Sequence, residues 1–258
     1  MLLRTTEMAN VYAQLVEQSS RTPHDPRPVL AALAQSGRWI GNACGAIAYY
    51  TPPATEAVYA AATSHELQCL AIDTAAWNEG PAFEARSTGR ILLDVDITTQ
   101  PLHVRWPRWA PRALQLSMDR VTALPLTVGA DSSCLQNDLS EGALVLFNAA
   151  GRPWDRELLT HVPGLVRTAA HLLSLQAQVA EQRVLAGQLQ HALDSRVVIE
   201  QAKGILAARH DLTLGAAFGR LRTYARSHGL KVAEVARRIT EEGADPTLLS
   251  KESTPATK

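Results

Sequence analysis

Residues 195–239 read SRVVIEQAKGILAARHDLTLGAAFGRLRTYARSHGLKVAEVARRI. Apolar positions recur here every three or four residues, the spacing of one helical face. Between 196 and 238 the stretch holds nine Lys or Arg (196, 203, 209, 220, 222, 226, 231, 237 and 238). Only Glu200, Asp211 and Glu234 oppose them, a net +6. Residues 1–195 hold 14 basic and 18 acidic side chains, a net −4, so a chain of zero formal charge is electrically divided. A basic helical module joined to a mildly acidic body suggests a polyanion-binding end and a separate control or scaffold end.

The stretch reads as three helices. The first continues from upstream through Arg209. The second runs from Thr213, as N-cap, to Ser227, with Leu214, Ala217, Phe218, Leu221 and Ala225 in one stripe, and ends at His228-Gly229. The third runs from Lys231 to about Glu242, burying Val232, Val235, Ala236 and Ile239; Gly243 ends it and a loose tail follows.

Upstream lies a long helix, expected to start at 153–156, with Pro163 placed to break its first turns. Leu172, Leu175, Val179, Gln182, Ala186, Leu189 and Leu193 follow the alternating three-four spacing of a and d positions in a left-handed coiled coil. Gln182 and Ala186 weaken that seam, and Gly187 costs about 1 kcal/mol relative to alanine. The pattern leaves two readings open: a dimerising stalk, or a helix lying on its own sheet.

The first 150 residues alternate short apolar runs with helical ones. Strands are expected at 43–50, 57–63, 90–97, 121–128 and 142–149. Helices are expected over 1–18, 28–40, 66–77 and 105–117, with 129–141 as a loop. Five short strands interleaved with helices predict an α+β domain with an antiparallel sheet.

Several classes are disfavoured. No run of 18 apolar residues spans a membrane, and the N-terminus lacks a leader pattern, so the cytoplasm is the expected compartment. Cys44, Cys69 and Cys134 are odd in number and far apart, which reads as free thiols rather than disulfides or a metal site. HExxH, GxSxG, a Walker lysine loop and a dinucleotide fingerprint are all missing, so no enzyme, catalytic residue or metal is expected.

The set Arg196, Ile199, Ala202-Lys203-Gly204, Leu206, then Ala217-Phe218, Leu221-Arg222, Ala225, then Val232, Val235-Ala236 resembles an ANTAR domain over roughly 190–242. The resemblance implies a three-helix RNA-binding module of bacterial transcription antiterminators. Such a module binds paired hairpins with matching loops in nascent leader transcripts, as a dimer. The residues agree independently. Lys203 lies seven positions after Arg196, so both share a helical face as exposed cations. Gly204 allows close approach by RNA backbone, or tight helix packing inside the module. Arg222 and Arg226 form an i,i+4 pair. Tyr224 reads as a base-stacking ring or as core. Arg209 reads as a phosphate contact or a solvated charge. A DNA-binding helical module and a protein-docking adaptor are the rival functions.

The set Trp77-Asn78-Glu79-Gly80-Pro81-Ala82-Phe83-Glu84-Ala85, Thr88-Gly89, Asp94 or Asp96, Trp106-Pro107 and Trp109-Ala110 looks like a GAF domain over about 28–175. It is similar to those preceding ANTAR modules in actinobacterial regulators. The resemblance implies a sensory fold with a small-molecule pocket of unspecified ligand, which His65 or His103 is placed to reach. The Glu79-Gly80-Pro81 corner reads as a turn shaping a loop over the sheet. The acidic pair and lysine of a phosphoacceptor receiver are not recognisable. The resulting organisation is an extension (1–27), a GAF sensory domain (28–170), a coiled-coil stalk (171–192), an ANTAR domain (193–242) and a tail (243–258).

Overall fold

The computed structural model describes residues 2–53, 55–99, 105–126, 142–149, 154 and 160–241. The expected loop at 129–141 with Cys134, the expected helix start at 153–156 apart from Trp154, His103 and the tail from Gly243 lie outside the described residues. The chain divides into two compact units, 1–181 and 182–258.

In the first unit, β1 (Gly45–Tyr50), β2 (Tyr59–Ala62), β3 (Leu92–Asp96), β4 (Arg120–Leu126) and β5 (Gly142–Asn148) form one antiparallel sheet in the order β2-β1-β5-β4-β3. The segment 59–62 is the return strand of a hairpin with β1, as its sequence position suggests. β1 and β5 are buried along their whole length, which explains why they read as unbroken apolar runs and not as alternation. One face of the sheet packs on α1 (Leu2–Arg21), α2 (Arg27–Ile40) and the start of α6 (Val162–His210), through Leu15, Leu30, Leu33, Leu146, Leu165 and Leu173. The opposite face packs on α3 (His65–Trp77), α4 (Pro81–Thr88) and α5 (Trp109–Leu114), through Ile47, Leu67, Leu70, Trp109 and Phe147. Tyr49 is buried on that second face, and burial pushes its phenol well above the usual range despite a hydrogen bond with Thr74.

Two elements differ from the sequence expectation. Residues 81–88 form a helix, with Pro81 in its first turn, where a missing N–H costs nothing. The 105–117 helix shortens to Trp109–Leu114, and Ser117 takes a positive φ of 57° just beyond it. Pro163 is the second residue of α6, ahead of the first intrahelical donor that matters.

In the second unit, the last part of α6 packs with α7 (Leu214–Ser227) and α8 (Val232–Glu241) around Ala202, Leu206, Ala217, Leu221, Ala225, Val235, Ala236 and Ile239. Thr213 caps α7 as expected, its hydroxyl accepting from the Ala216 N–H at 3.2 Å. Gly229, at φ 64°, ends α7, and the Leu230 N–H closes back on the Ala225 carbonyl at 2.8 Å.

Candidate nucleic-acid interface

On α6, buried and exposed residues separate by angle. Leu165, Val166, Ala169, Ala170 and Leu173 are buried, whereas Leu175 is 56% exposed and Val179, Leu189 and Leu193 are exposed too. At about 100° per residue these four cluster on the side opposite Leu173. Leu172 sits at the margin, partly buried against the sheet core. The helix therefore does lie on its own sheet over 162–173, and its a/d seam beyond Leu173 still points outward. The intrachain packing reading holds over these first turns, and the seam beyond them is exposed.

Farther along, Arg196, Glu200 and Lys203 fall within about 60° of one another. Lys203 is not the free surface cation its position suggested. Its side chain is 17% exposed, its Nζ donates to both Glu200 oxygens at 2.9 and 2.8 Å, and it sits 5.7 Å from the Phe218 ring centroid. Burial behind a ring from another helix is invisible in local spacing, although the i,i+3 pair with Glu200 is not. Arg222 lies one turn beyond Phe218 on α7, with Arg226 a turn further, both exposed. Lys203 meets Phe218 across the two helices, and Arg196, Arg222 and Arg226 are exposed cations on those same helices.

Two expected members lie elsewhere. Tyr224 is about 200° from Arg222 around α7. Its ring packs partly on the core and stacks on His228, centroids 3.9 Å apart and planes 20° from parallel. That arrangement favours the core reading of Tyr224 over a stacking role. Arg209 is exposed but lies about 120° around α6 from Lys203. Gly204 is outward-facing, and a Cβ built there meets nothing within 4 Å, so tight packing within the module does not explain it. Phe218 is the residue sequence reasoning assigned to the core stripe; it is 38% exposed at the stripe's edge.

The Glu79-Gly80-Pro81 corner of the first unit has an internal explanation. Asn78 ends α3 in the left-handed region at φ 52°, and Gly80 follows at φ 108°. A Cβ on Gly80 would stand 2.7 Å from the Trp109 ring. The Glu79 carboxylate accepts from the Arg108 and Trp109 N–H groups at 2.8 and 2.9 Å, capping α5. Glu84 accepts from the Trp106 indole at 3.2 Å and pairs with Arg105. The corner shapes a loop over the sheet by tying α4 to α5. A cavity of about 310 Å³ opens beside it, lined by Gly80, Phe83, Arg86, Arg105 and Trp106 among others. Arg105 in its lining pairs with Glu84, and Arg86 donates to the Thr51 hydroxyl at 2.9 Å. Asp94 and Asp96 pair with Arg120, whose guanidinium is held further in its charged form chiefly by the hydrogen bond to Asp94. Asp96 is lowered chiefly by the Thr98 hydroxyl. His65 is exposed at the first turn of α3 and does not line that cavity. Neither Cys44 nor Cys69 is in a disulfide, and the Cys44 thiol donates to the Asn148 side-chain oxygen at 3.1 Å. Among the described residues no group of three or more His, Cys, Asp or Glu is placed to hold a metal ion, and no helix is long and apolar enough to cross a membrane.

The geometry defines a small, basic, three-helix module whose first helix is the end of a long one. Residues 187–239, from the middle of α6 through α8, match the ANTAR domain family. ANTAR domains are RNA-binding modules of antitermination regulators. No curated protein matches the chain by sequence. Among solved structures, the chain is similar to GAF3 from Slr1393 of Synechocystis sp. PCC6803, at 12% identity and a TM-score of 0.43 over 61% of this chain and 98% of that one. It is similar to the GAF-B domain of DevS from Mycobacterium smegmatis, at 17% identity and a TM-score of 0.38 over 62% and 99%. It is also similar to CepR2, an N-acylhomoserine lactone dependent LuxR family transcription factor from Burkholderia cenocepacia, at 11% identity and 0.42 over 67% and 98%.

Proposed function

We propose that this protein is a regulator that binds paired RNA hairpins in nascent leader transcripts and prevents the overlapping terminator from forming. The observation that carries the reading is the ANTAR match at 187–239 falling on a three-helix core whose outward face carries Arg196, Lys203, Arg222 and Arg226. Cations around a face of low acidity suit phosphate, and hairpin loops supply unpaired bases for an exposed ring. The N-terminal unit serves as a GAF sensory domain for a small-molecule effector. The outward α6 seam of Leu175, Val179, Leu189 and Leu193 associates with a second copy, since full burial of each such side chain contributes about 1.5–3 kcal/mol. Two copies then present two modules to two hairpins. Because α6 is one uninterrupted helix from 162 to 210, a change in the first unit has a direct covalent route to the second.

The test is competition at fixed salt between an RNA of two tandem hairpins and duplex DNA of equal length. The reading expects the RNA to win. Equal or better binding by the duplex favours a DNA-binding module, and the absence of any salt-dependent nucleic-acid affinity favours a protein-docking adaptor. For the sensory assignment, an effector that alters RNA affinity must show the same factor in its own affinity when RNA is bound.

A further inference from the structure

We infer that Phe218 is the floor of a subsite for one unpaired nucleobase, with the Glu200–Lys203 pair backing the ring; this rests on the RNA-binding reading above. The core of the second unit is completed by Ala217, Leu221 and Ala225 from the same helix, each about 1% exposed or less. Phe218 adds little to that core and keeps over a third of its surface in solvent. An aromatic ring left open on a basic face is the platform on which loop bases stack, and stacking tolerates any base because every base has a π-face.

The surroundings are cleared for such a guest. Gly215, one turn before Phe218, and Gly219, next to it, both have open space where a Cβ would be. Gly219, inside the helix, costs about 1 kcal/mol relative to alanine, and no internal packing of α7 offsets that cost. Gly204, beside Lys203, is equally open. Lys203 Nζ, bound to both Glu200 oxygens, lies over one face of the ring, so a base stacks on the solvent side of Phe218. Arg222, one turn along α7, is placed for the adjoining phosphate.

The experiment uses the full chain and a tandem-hairpin RNA pool with constant stems and randomised loops. The tightest binder is resynthesised with an abasic site at each loop position in turn. Phe218→Leu is expected to weaken binding of the intact RNA about 5- to 150-fold, equivalent to about 1–3 kcal/mol, with an unchanged salt slope. Against one abasic RNA, wild type and Phe218→Leu should bind equally, and Phe218→Trp should restore affinity for the intact RNA. This cycle cancels any loss of folded protein, because such a loss affects every RNA alike. Wild-type affinity in Phe218→Leu, or a loss of the same size against every abasic RNA, overturns the subsite. If Arg196→Ala weakens binding while Phe218→Leu does not, the subsite falls and the RNA reading stands. If wild type enriches no RNA from the pool, both fall.

Discussion

Two glycines in the two units show how differently their motifs are constrained. Gly80 takes φ 108° with the Trp109 ring 2.7 Å from where its Cβ would be. Gly204 sits in mid-helix with nothing within 4 Å. Around Gly80, the motif residues are bound to one another. Glu79 caps α5, Glu84 holds the Trp106 indole, and Trp109 stacks on Phe147 with centroids 6.0 Å apart. Around Gly204, Ala202 and Leu206 turn into the core and Gly204 itself faces outward. A motif explained by its own packing identifies a fold. A motif left unexplained by packing points to something outside the chain.

The largest effect is expected on the outward seam of α6. Replacing Leu175 and Leu189 together with Glu would bury like charges in any dimer, and sedimentation should show the association constant falling by about 100-fold or more. A wild-type chain that sediments as a clean monomer at micromolar concentration would remove the seam as an interface. Next, Gly80→Ala should destabilise the first unit by about 2–5 kcal/mol, through positive-φ strain and overlap with Trp109, read by denaturant unfolding. Glu79→Gln keeps the shape of the cap and loses its charge, so a loss of about 1 kcal/mol is expected in the same assay. Gly204→Ala should have the opposite sign, stabilising the second unit by about 1 kcal/mol in thermal unfolding while weakening RNA binding or dimerisation. Stabilisation without any loss of binding would mean that nothing approaches Gly204 closely.

The sequence carried most of the architecture because local rules and packing agree in the elements concerned. β5 reads as an unbroken apolar run because both of its faces are covered, and α7 begins at Thr213 because its hydroxyl caps the helix. Helix α4 was hidden because Trp77–Ala85 reads as a corner, and the corner occupies only its first turn. The candidate site was half legible. Spacing along one helix places Arg196 with Lys203 and Arg222 with Arg226. It does not reveal that Lys203 leans on Phe218 from the next helix, nor that His228 occupies a face of the Tyr224 ring. Those are contacts between, or at the end of, helices, and periodicity is silent about them.

The central claim is that the outward face of the second unit binds RNA phosphates. The most direct measurement is the salt dependence of tandem-hairpin RNA affinity for wild type and for Arg196→Ala with Arg222→Ala, both substitutions being on exposed helix positions that leave folding near wild type. Affinity for wild type should fall steeply as salt rises, and the double substitution should weaken binding and lower the slope by about two, one per phosphate released. An unchanged slope, with affinity equal to wild type across the salt series, would contradict the account.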